Sequence, residues 1–407
     1  MNILYFSQFY APEAIAPAFR AVDNSRLWAE AGHNVTVFTG YPNYPTGKIF
    51  DGYDPKLLSE EEINGVRVLR SKLIAVPNTS IVNRLKNALS YYAYGRLNEI
   101  FHSRKIGKKY DVVLGTSGII FNALLAYKYA KAHKLPFVFE IRDITYVQMQ
   151  ATGKDAGSKS VKGMKWLELM LCRKADKVVV VTNGFKETLV NEGIPAEKIE
   201  VVTNGVDVQP AEGAYDPGKK FTLSYFGTIG ISQNLKETFW YSDEIAKAVP
   251  DMEYLIIGDG AQREEVQEEA DNMHYVSMLP GMPASELEPY YKRTQLSVIT
   301  LRKTENFKNT IPSKLFQVMG RGIAILFIGP DGESAEIIRK YNAGIVLTGK
   351  PSDDLKILEL FFKEPDWRER LAEMGANGRK AAVENYSRAK LAEKYVGILQ
   401  DAGKGRK

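Results

Sequence analysis

Two successive series of short apolar segments, each alternating with helical stretches, constrain the fold of this chain more than any other feature. Nearly all of the segments are rich in Val and Ile, are bounded by turn residues and run unbroken, which is typical of strands buried on both faces of a parallel sheet. The first series comprises Ile3–Phe6, Asn34–Thr39, Val66–Leu69, Val112–Gly115, Phe137–Ile141, Val178–Thr182 and Ile199–Val202, and the second comprises Thr222–Phe226, Glu253–Gly258, Tyr275–Met278, Leu296–Thr300, Ile323–Ile328 and Gly344–Leu347. Two such series predict an α/β protein with two doubly wound, Rossmann-like domains.

The rhythm of the two series also predicts the domain boundaries. We expect a first domain over residues 1–208 and a second over 216–386, and the chain length of 407 residues accommodates both. The Pro- and Gly-containing stretch Gln209–Lys220 suits a linker between them. The apolar spacing after Ser387 predicts a last helix, within residues 387–407, that packs back on the first domain.

Composition excludes several classes of protein. One cysteine, Cys172, rules out a disulfide framework, and four histidines provide no zinc-ligand cluster. A net charge of +5 is small for this length, so we expect no nucleic-acid partner. Met1–Phe6 reads as a first strand rather than a targeting segment, and the uncharged stretch Val112–Tyr127 is too short to span a bilayer. We therefore expect a cytoplasmic protein.

The loop that follows the first strand of the second domain is a candidate phosphate site. Gly227 and Gly230 stand in a Gly-x-x-Gly turn between a strand and a helix, where backbone N–H groups can approach an anion. Two glycines in such a turn are also common for structural reasons alone. In open α/β sheets, ligands bind at the carboxyl ends of the strands, so the loops there are where chemistry is expected.

A second candidate is the segment Asn309–Gln317. Pro312 suits the first turn of a helix, a nearby hydroxyl could cap that helix, and the Lys314 ammonium would be aimed at an anion. The alternative is a capped helix with a solvated lysine. Farther on, Glu333 stands at the predicted start of another helix, where a carboxylate is favourable with or without a function.

The first domain carries polar and aromatic residues after its strands. Phe9 follows the first strand, and Arg142 and Asp143 close a buried strand. Charges at that place predict either an internal salt bridge or a polar group on the acceptor side of an active site.

One helical segment combines apolar and basic residues. The apolar positions Ile81, Leu85, Leu89, Tyr92 and Leu97 follow helical spacing, and the basic residues Arg84, Lys86, Arg96, Arg104, Lys105, Lys108 and Lys109 lie between or soon after them. The pattern suits either a core-facing helix with a solvated basic face or a helix at an anionic membrane surface.

In order and spacing, these segments resemble glycosyltransferase family 4, the retaining transferases of the GT-B fold. The resemblance rests on segments along nearly the whole chain: Leu27–Val37, Ala175–Thr182, Val201–Asp207, Gly227–Gly230, Ile256–Gly260 and the helix at Pro312–Lys314. Tyr41–Lys48, Ile63–Val68 and Arg142–Asp143 are most similar to the bacterial branch that builds O-antigen, capsule or colanic-acid repeat units and includes N-acetylfucosamine transferases.

The resemblance implies two domains that face a central cleft, with a nucleotide-diphosphate sugar, most often a UDP-sugar, in the second. The positions it assigns to the donor are Gly227, Thr228, Gly230, Asn309, Thr310, Ser313, Lys314, Gln317 and Glu333. Lys314 would neutralise the leaving diphosphate in place of a metal, so neither a metal nor another cofactor is expected. Asn309 and Gln317 stand where the family commonly has two glutamates. An amide can bond a sugar hydroxyl, but it cannot make the stronger charge-assisted bond.

The resemblance also implies an acceptor, which in this family is often a saccharide linked to a lipid diphosphate. Phe9, Arg142 and Asp143 are the predicted acceptor-side residues, and Asp143 is a second candidate catalytic residue, orienting the acceptor or the sugar. The implied activity is retaining, metal-independent glycosyl transfer of the hexosyltransferase type, with peripheral contact to the inner face of the cell membrane. Two alternatives are a non-catalytic nucleotide-sugar-binding partner subunit and a nucleotide-sugar epimerase of the same fold.

Overall fold

A computed structural model describes residues 1–107, 109–151, 154–208 and 220–404 and shows two compact units. Unit 1 consists of Met1–Thr203 together with Arg388–Lys407, and unit 2 consists of Asn204–Ser387. Each unit has its own sheet with helices on both faces, so the predicted α/β class with two Rossmann-like halves is confirmed.

In the part of the chain that the structure describes, the sheet of unit 1 has eight strands. In chain order they are β1 (Asn2–Phe6), β2 (Asn34–Gly40), β3 (Leu58–Ile63), β4 (Val66–Ser71), β5 (Val112–Thr116), β6 (Phe137–Ile141), β7 (Lys177–Val180) and β8 (Ile199–Val201). They lie side by side in the order β3-β4-β2-β1-β5-β6-β7-β8, and every pair except β3–β4 is parallel. The strand order reverses between β1 and β5, which is where open α/β sheets bind ligands.

The antiparallel edge strand β3 was not predicted. Its sequence, Leu-Ser-Glu-Glu-Glu-Ile, lacks the apolar run of the other strands because an edge strand needs one buried face only. Glu60 and Glu61 instead form ion pairs with Arg67 and Arg70 of β4. Cross-strand charge pairs therefore hold β3 in register where apolar burial does not.

In the described residues, seven α-helices follow or connect these strands: α1 (Ala16–Glu30), α2 (Ile81–Phe101), α3 (Ser103–Ile106), α4 (Ile120–His133), α5 (Thr145–Ala151), α6 (Lys159–Lys174) and α7 (Asn183–Asn191). Local sequence explains where several of these helices begin. Pro17 stands in the first turn of α1, and the side chains of Ser80, Ser158 and Thr182 accept the N-terminal N–H groups of α2, α6 and α7.

Successive residues of one strand feed two separate cores in unit 1. Leu4 and Phe6 pack in the core beneath α2, α4 and α6, whereas Ile3 and Tyr5 pack in the core on the opposite face. Because both faces of β1 are covered, its sequence is apolar at every one of these positions, which is the pattern that predicted it.

The described residues of unit 2 form a six-stranded parallel sheet made of β9 (Thr222–Phe226), β10 (Glu253–Ile257), β11 (Val276–Leu279), β12 (Leu296–Thr300), β13 (Ala324–Ile328) and β14 (Gly344–Leu347). The order is β11-β10-β9-β12-β13-β14, so the reversal falls between β9 and β12. Its helices are α8 (Glu237–Ala248), α9 (Arg263–Ala270), α10 (Glu288–Lys292), α11 (Ser313–Gly320), α12 (Glu333–Lys340), α13 (Pro351–Lys363) and α14 (Trp367–Ala381).

The last helix, α15 (Arg388–Lys404), belongs to unit 1. It packs on α1, where the indole Nε1 of Trp28 donates to the Ala392 carbonyl at 3.1 Å and the Trp28 and Tyr395 rings meet edge to face at 5.2 Å. The Tyr395 hydroxyl donates to the buried carboxylate of Glu140, which also accepts from Arg20 at 3.0 Å. Unit 1 is thus completed by a helix that follows unit 2 in the chain.

The units divide between Thr203 and Asn204, earlier than the predicted boundary at residue 208. The reason is that Val206 is buried in the core of unit 2 and pairs with Ser387 in a short β-bridge. The predicted linker Gln209–Lys220 lies outside the described residues except for Lys220. No helix in the described part of the chain is long and apolar enough to cross a bilayer.

Candidate active site

The loop after β9 brings Gly227 against Lys314. Gly227 has a φ of +133°, and its N–H donates to the Ile257 carbonyl at 2.9 Å. A Cβ atom at this position would lie 2.8 Å from Lys314 Nζ, too close for a real contact. Residue 227 therefore needs glycine for its backbone conformation, and a larger residue would also displace the end of the Lys314 side chain.

A second glycine holds this loop in place. A Cβ atom at Gly258, at the end of β10, would lie 1.8 Å from the Gly227 carbonyl oxygen. The two loops therefore pack backbone to backbone. The sequence alone does not predict this close approach, because it joins residues that are far apart in the chain.

Lys314 lies in the first turn of α11, and its ammonium is buried without an acidic partner. Its Nζ atom donates to the Tyr225 hydroxyl at 3.0 Å and lies 4.1 Å from the centre of that ring. The Tyr225 hydroxyl in turn donates to the Thr228 carbonyl, which links the lysine to the Gly227 loop. Burial lowers the pKa of Lys314 to about 8. No carboxylate of the described residues ion-pairs with this group, so an anion placed here would stabilise its charged form.

The start of α11 differs in one detail from the prediction. Pro312 is the residue just before the helix, Ser313 begins it, and no side chain caps it. The expected hydroxyl cap is therefore wrong, and the first N–H groups of α11 are not satisfied by a capping side chain. Ser313 is exposed and Lys314 half-buried at this end of the helix.

The remaining predicted donor residues lie in neighbouring segments of unit 2. The segment before α11 is tied to the start of α12, because the Glu333 N–H donates to the Lys308 carbonyl at 2.8 Å and Ser334 Oγ donates to the Thr310 carbonyl at 2.8 Å. Asn309, Thr310 and Gln317 are half-buried, Glu333 is buried, and Thr228 is exposed. Gly230 accepts backbone hydrogen bonds from Gln233 and Asn234. The donor roles of these residues stay predictions.

Unit 1 contains a cavity of about 580 Å³ at its own strand-order reversal. Residues from the loops after β1 and β5 line it, together with the first turns of α2 and α4 and parts of α5 and α6. The predicted acceptor-side residue Phe9 lines the cavity and meets the Tyr44 ring edge to face at 5.9 Å. Sequence reasoning missed the cavity, because its walls come from six separate segments.

Arg142 and Asp143, both in the described part of the chain, lie outside this cavity lining. The Arg142 N–H donates to Ser117 Oγ at 2.9 Å at the end of β6. Asp143 is exposed, yet the protein around its carboxyl group removes enough water to raise its pKa. Their acceptor-side role stays a prediction.

Two buried carboxylates beside the cavity were not predicted. Glu13 Oε1 accepts the N–H groups of Asn43 and Tyr44 at 3.0 Å each, and burial raises its pKa. Glu168 accepts the Thr145 N–H and hydroxyl at the start of α5, and burial raises its pKa to about 7. Both carboxylates fix loops that carry cavity-lining residues.

In the described residues, no three His, Cys, Asp or Glu side chains come together as a set that could hold a metal ion. The polar chemistry available in the candidate donor site is instead that of Lys314, the free N–H groups of α11 and the amides of Asn309 and Gln317.

Comparison with known proteins identifies the class to which this fold and site belong. The Glycosyltransferase Family 4 model matches residues 20–210, and the Glycosyl transferases group 1 model matches residues 220–358. The chain is a glycosyltransferase and belongs to family 4, as the sequence resemblance indicated.

A curated relative is WcaI of Escherichia coli strain K12, a glycosyl transferase assigned to colanic acid biosynthesis. It is 22% identical over 339 residues, which cover 79% of this chain and 82% of the relative. The role of this relative in colanic acid biosynthesis is consistent with the bacterial surface-polysaccharide branch.

Solved structures with a similar fold include sucrose-phosphate synthase from Thermosynechococcus elongatus (TM-score 0.70, 14% identity, 98% of each chain covered). Others are Anabaena HepE in complex with UDP (0.65, 14%, 98% of this chain and 100% of that one) and the lipopolysaccharide outer core galactosyltransferase WaaB (0.59, 16%, 98% and 99%). These likenesses show the GT-B fold.

Proposed function

We propose that the protein transfers a sugar from a nucleotide-diphosphate donor, a UDP-sugar, to a lipid-diphosphate-linked saccharide during synthesis of a bacterial surface polysaccharide. The observation that carries the donor half is the ammonium of Lys314, which is buried beneath the Gly227 loop without an acidic partner. Solved relatives bound to UDP and UDP-glucose support the choice of donor.

The reaction proceeds with retention of configuration and without a metal ion in this proposal. The acceptor hydroxyl forms a bond to the anomeric carbon on the face from which the diphosphate departs. The bond from that carbon to the phosphate oxygen breaks, and the acceptor proton passes to the leaving phosphate. Lys314 and the first N–H groups of α11 stabilise the charge that develops there, which is the electrostatic task a metal performs in other transferases.

Asn309 and Gln317 would bond donor hydroxyls through their amides. A neutral amide gives a weaker bond than a carboxylate to the same hydroxyl. The proposal therefore includes a donor site that relies more on the diphosphate than on the ribose.

The acceptor half of the proposal rests on unit 1. The roles of WaaB in lipopolysaccharide and of WcaI in colanic acid biosynthesis support a bacterial surface glycan. An exposed apolar row on α2 with Arg84 and Lys86 beside it supports peripheral contact with an anionic membrane, and hence an acceptor carried there by a lipid.

The test is nucleotide binding by calorimetry with UDP, GDP and TDP, each with and without EDTA. We expect UDP to bind regardless of EDTA, and Lys314→Ala to weaken UDP binding by about tenfold or more, since a charge-assisted bond contributes roughly 1.5–3 kcal/mol. Lys363→Ala, at an exposed lysine of α13, is the matched control and should bind as the unmodified protein does.

Two results would contradict the proposal. Unchanged UDP binding in Lys314→Ala would remove this lysine from the donor site. Binding of UDP-sugars without transfer to any lipid-linked acceptor would favour the non-catalytic partner subunit instead.

A further inference from the structure

The cavity of unit 1 combines an apolar wall with an opening along α2. Ile81 and Leu85 line it, yet these side chains are 60% and 47% exposed. A side chain that lines a cavity and also reaches solvent marks the mouth of that cavity. The mouth therefore opens beside the exposed apolar row of α2, which continues through Leu89.

The inner wall is suited to a flexible hydrocarbon. Phe121 from α4, Met149 from α5 and Met164 from α6 contribute to it. Methionine side chains adapt their shape to an apolar ligand, so such a wall can accept a branched chain without a fixed fit. At about 580 Å³, the volume is within the usual range for small-ligand cavities.

Two positively charged side chains line this cavity, and its lining has no acidic side chain among the described residues. Arg84 and Lys154 line it, both are exposed, and neither forms an ion pair with a described residue. The stretch from Ile81 to Asn98 also contains no Asp or Glu. The potential at the mouth is therefore positive, and it favours a ligand with an anionic head.

We propose that this cavity holds the first isoprenoid units of the acceptor's lipid carrier, with Arg84 and Lys154 against its diphosphate. The apolar chain of such a lipid would fill the largely apolar cavity, and its diphosphate would contact the two basic side chains at the mouth. The position at the β1–β5 reversal, with Phe9 in the wall, would place the attached saccharide at the carboxyl ends of the strands. This inference rests on the proposed function, which it extends by naming where the lipid binds.

The experiment measures binding of farnesyl diphosphate by calorimetry, without donor and without detergent. Leu85→Asn and Arg84→Ala should each weaken binding by about tenfold, from lost apolar burial in one case and a lost charge contact in the other. Farnesol and inorganic pyrophosphate, tested alone, should each bind more weakly than the intact molecule.

Two matched controls lie on the same helix but outside the cavity lining. Val82 is 74% exposed and Lys86 is exposed, so Val82→Asn and Lys86→Ala should bind farnesyl diphosphate within about twofold of the unmodified protein. All four positions are on the surface of α2, so circular dichroism should show unchanged folding in every variant.

The outcomes separate this inference from the donor proposal. If Val82→Asn weakens binding as much as Leu85→Asn, the probe is merely partitioning onto an apolar surface and the inference is wrong. If farnesyl diphosphate does not bind while UDP does, the lipid site is wrong and the donor site stands. If farnesyl diphosphate binds with the expected pattern while UDP fails, the lipid site stands and the donor proposal falls.

Discussion

Gly227 and Lys314 depend on each other at the scale of single residues. The missing Cβ of Gly227 leaves room for the ammonium, and the Tyr225 ring supports it from below. The Lys314 ammonium is buried and has no carboxylate partner among the described residues, an arrangement that costs free energy and that a bound anion would relieve. Charged groups with shifted pKa values are commonly found at functional sites for this reason.

The lowered pKa of Lys314 predicts a pH dependence of donor binding. The ammonium is mostly charged at pH 7 and mostly neutral at pH 9 because its pKa is about 8, so the affinity for UDP should fall by about tenfold over that range. Lys314→Arg keeps its charge throughout, so its affinity should change much less with pH. Calorimetric titrations at pH 7, 8 and 9 measure both. A parallel fall in the arginine variant would show that titration of another group is responsible.

Some residues of the candidate sites could be predicted from the sequence and others could not. Gly227 was predicted as a site residue because it follows a strand in a Gly-x-x-Gly turn, and Lys314 because Pro312 marks the start of a helix. Both also match the family pattern. Glu13 and Glu168 were not predicted, since nothing near either of them in the chain distinguishes a buried carboxylate from a solvated one. Their role depends on N–H groups supplied by distant loops.

At the scale of elements, the structure distinguishes between the two interpretations of the apolar row on α2, as a core-facing row or as one exposed for a membrane surface. Ile81, Leu85, Leu89 and Leu97 are all exposed, and the buried positions of this helix are Asn87, Ala88, Ser90, Tyr91, Gly95 and Asn98. Of the predicted row, Tyr92 alone packs partly against the core, so most of the row does not face the core. The helix buries Tyr91 together with small and polar residues, mainly against α4, and it presents Ile81, Leu85, Leu89 and Leu97 outward, which periodicity alone does not reveal.

The outward row and its basic neighbours predict membrane binding. The double charge reversal Arg84→Glu with Lys86→Glu should weaken binding to phosphatidylserine-containing vesicles by at least about tenfold, since each basic residue near such a surface contributes roughly 1 kcal/mol. Lys356→Glu with Lys363→Glu, on α13, makes the same change in net charge at exposed positions of unit 2. Vesicle co-sedimentation measures both. An equal loss in the two variants would mean that net charge alone is responsible.

Strand β3 marks the other limit of prediction at this scale. The buried parallel strands were predictable because burial on two faces demands unbroken apolar sequence. An edge strand is held by partners instead of burial, and here the partners are Arg67 and Arg70 of β4. A strand of three successive glutamates is recognisable only once its neighbour is known.

At the scale of the whole molecule, α15 joins the C-terminal part of the chain to the N-terminal fold. Trp28 and Tyr395 are fully buried against each other, and the Tyr395 hydroxyl helps to satisfy Glu140 together with Arg20. Burial alone would raise the pKa of Glu140. The positive charges of Arg20 and Arg142 outweigh that effect, so the net pKa is lowered and the carboxylate stays ionised. The helix therefore completes both an apolar core and a buried polar network.

Loss of the Tyr395 ring should destabilise unit 1. Tyr395→Ala leaves a cavity beside Trp28 and removes a donor from Glu140, and we expect the free energy of unfolding to fall by about 3–5 kcal/mol. Gln400→Ala, at an exposed position of the same helix, should change it by less than about 0.5 kcal/mol. Scanning calorimetry resolves the effect as a lowered transition for unit 1. A transition unchanged in Tyr395→Ala would show that α15 is not needed for the stability of unit 1.

The placement of α15 also means that, during translation, unit 2 can complete its fold before unit 1 does. Every residue of unit 2 is contiguous, from Asn204 to Ser387, so it can close as soon as that stretch has emerged. Unit 1 begins first but lacks its partner for Trp28 until Arg388–Lys404 has been synthesised. During that interval the apolar face of α1 around Trp28 lacks its cover, and exposed apolar surface of this kind makes a folding chain prone to aggregation.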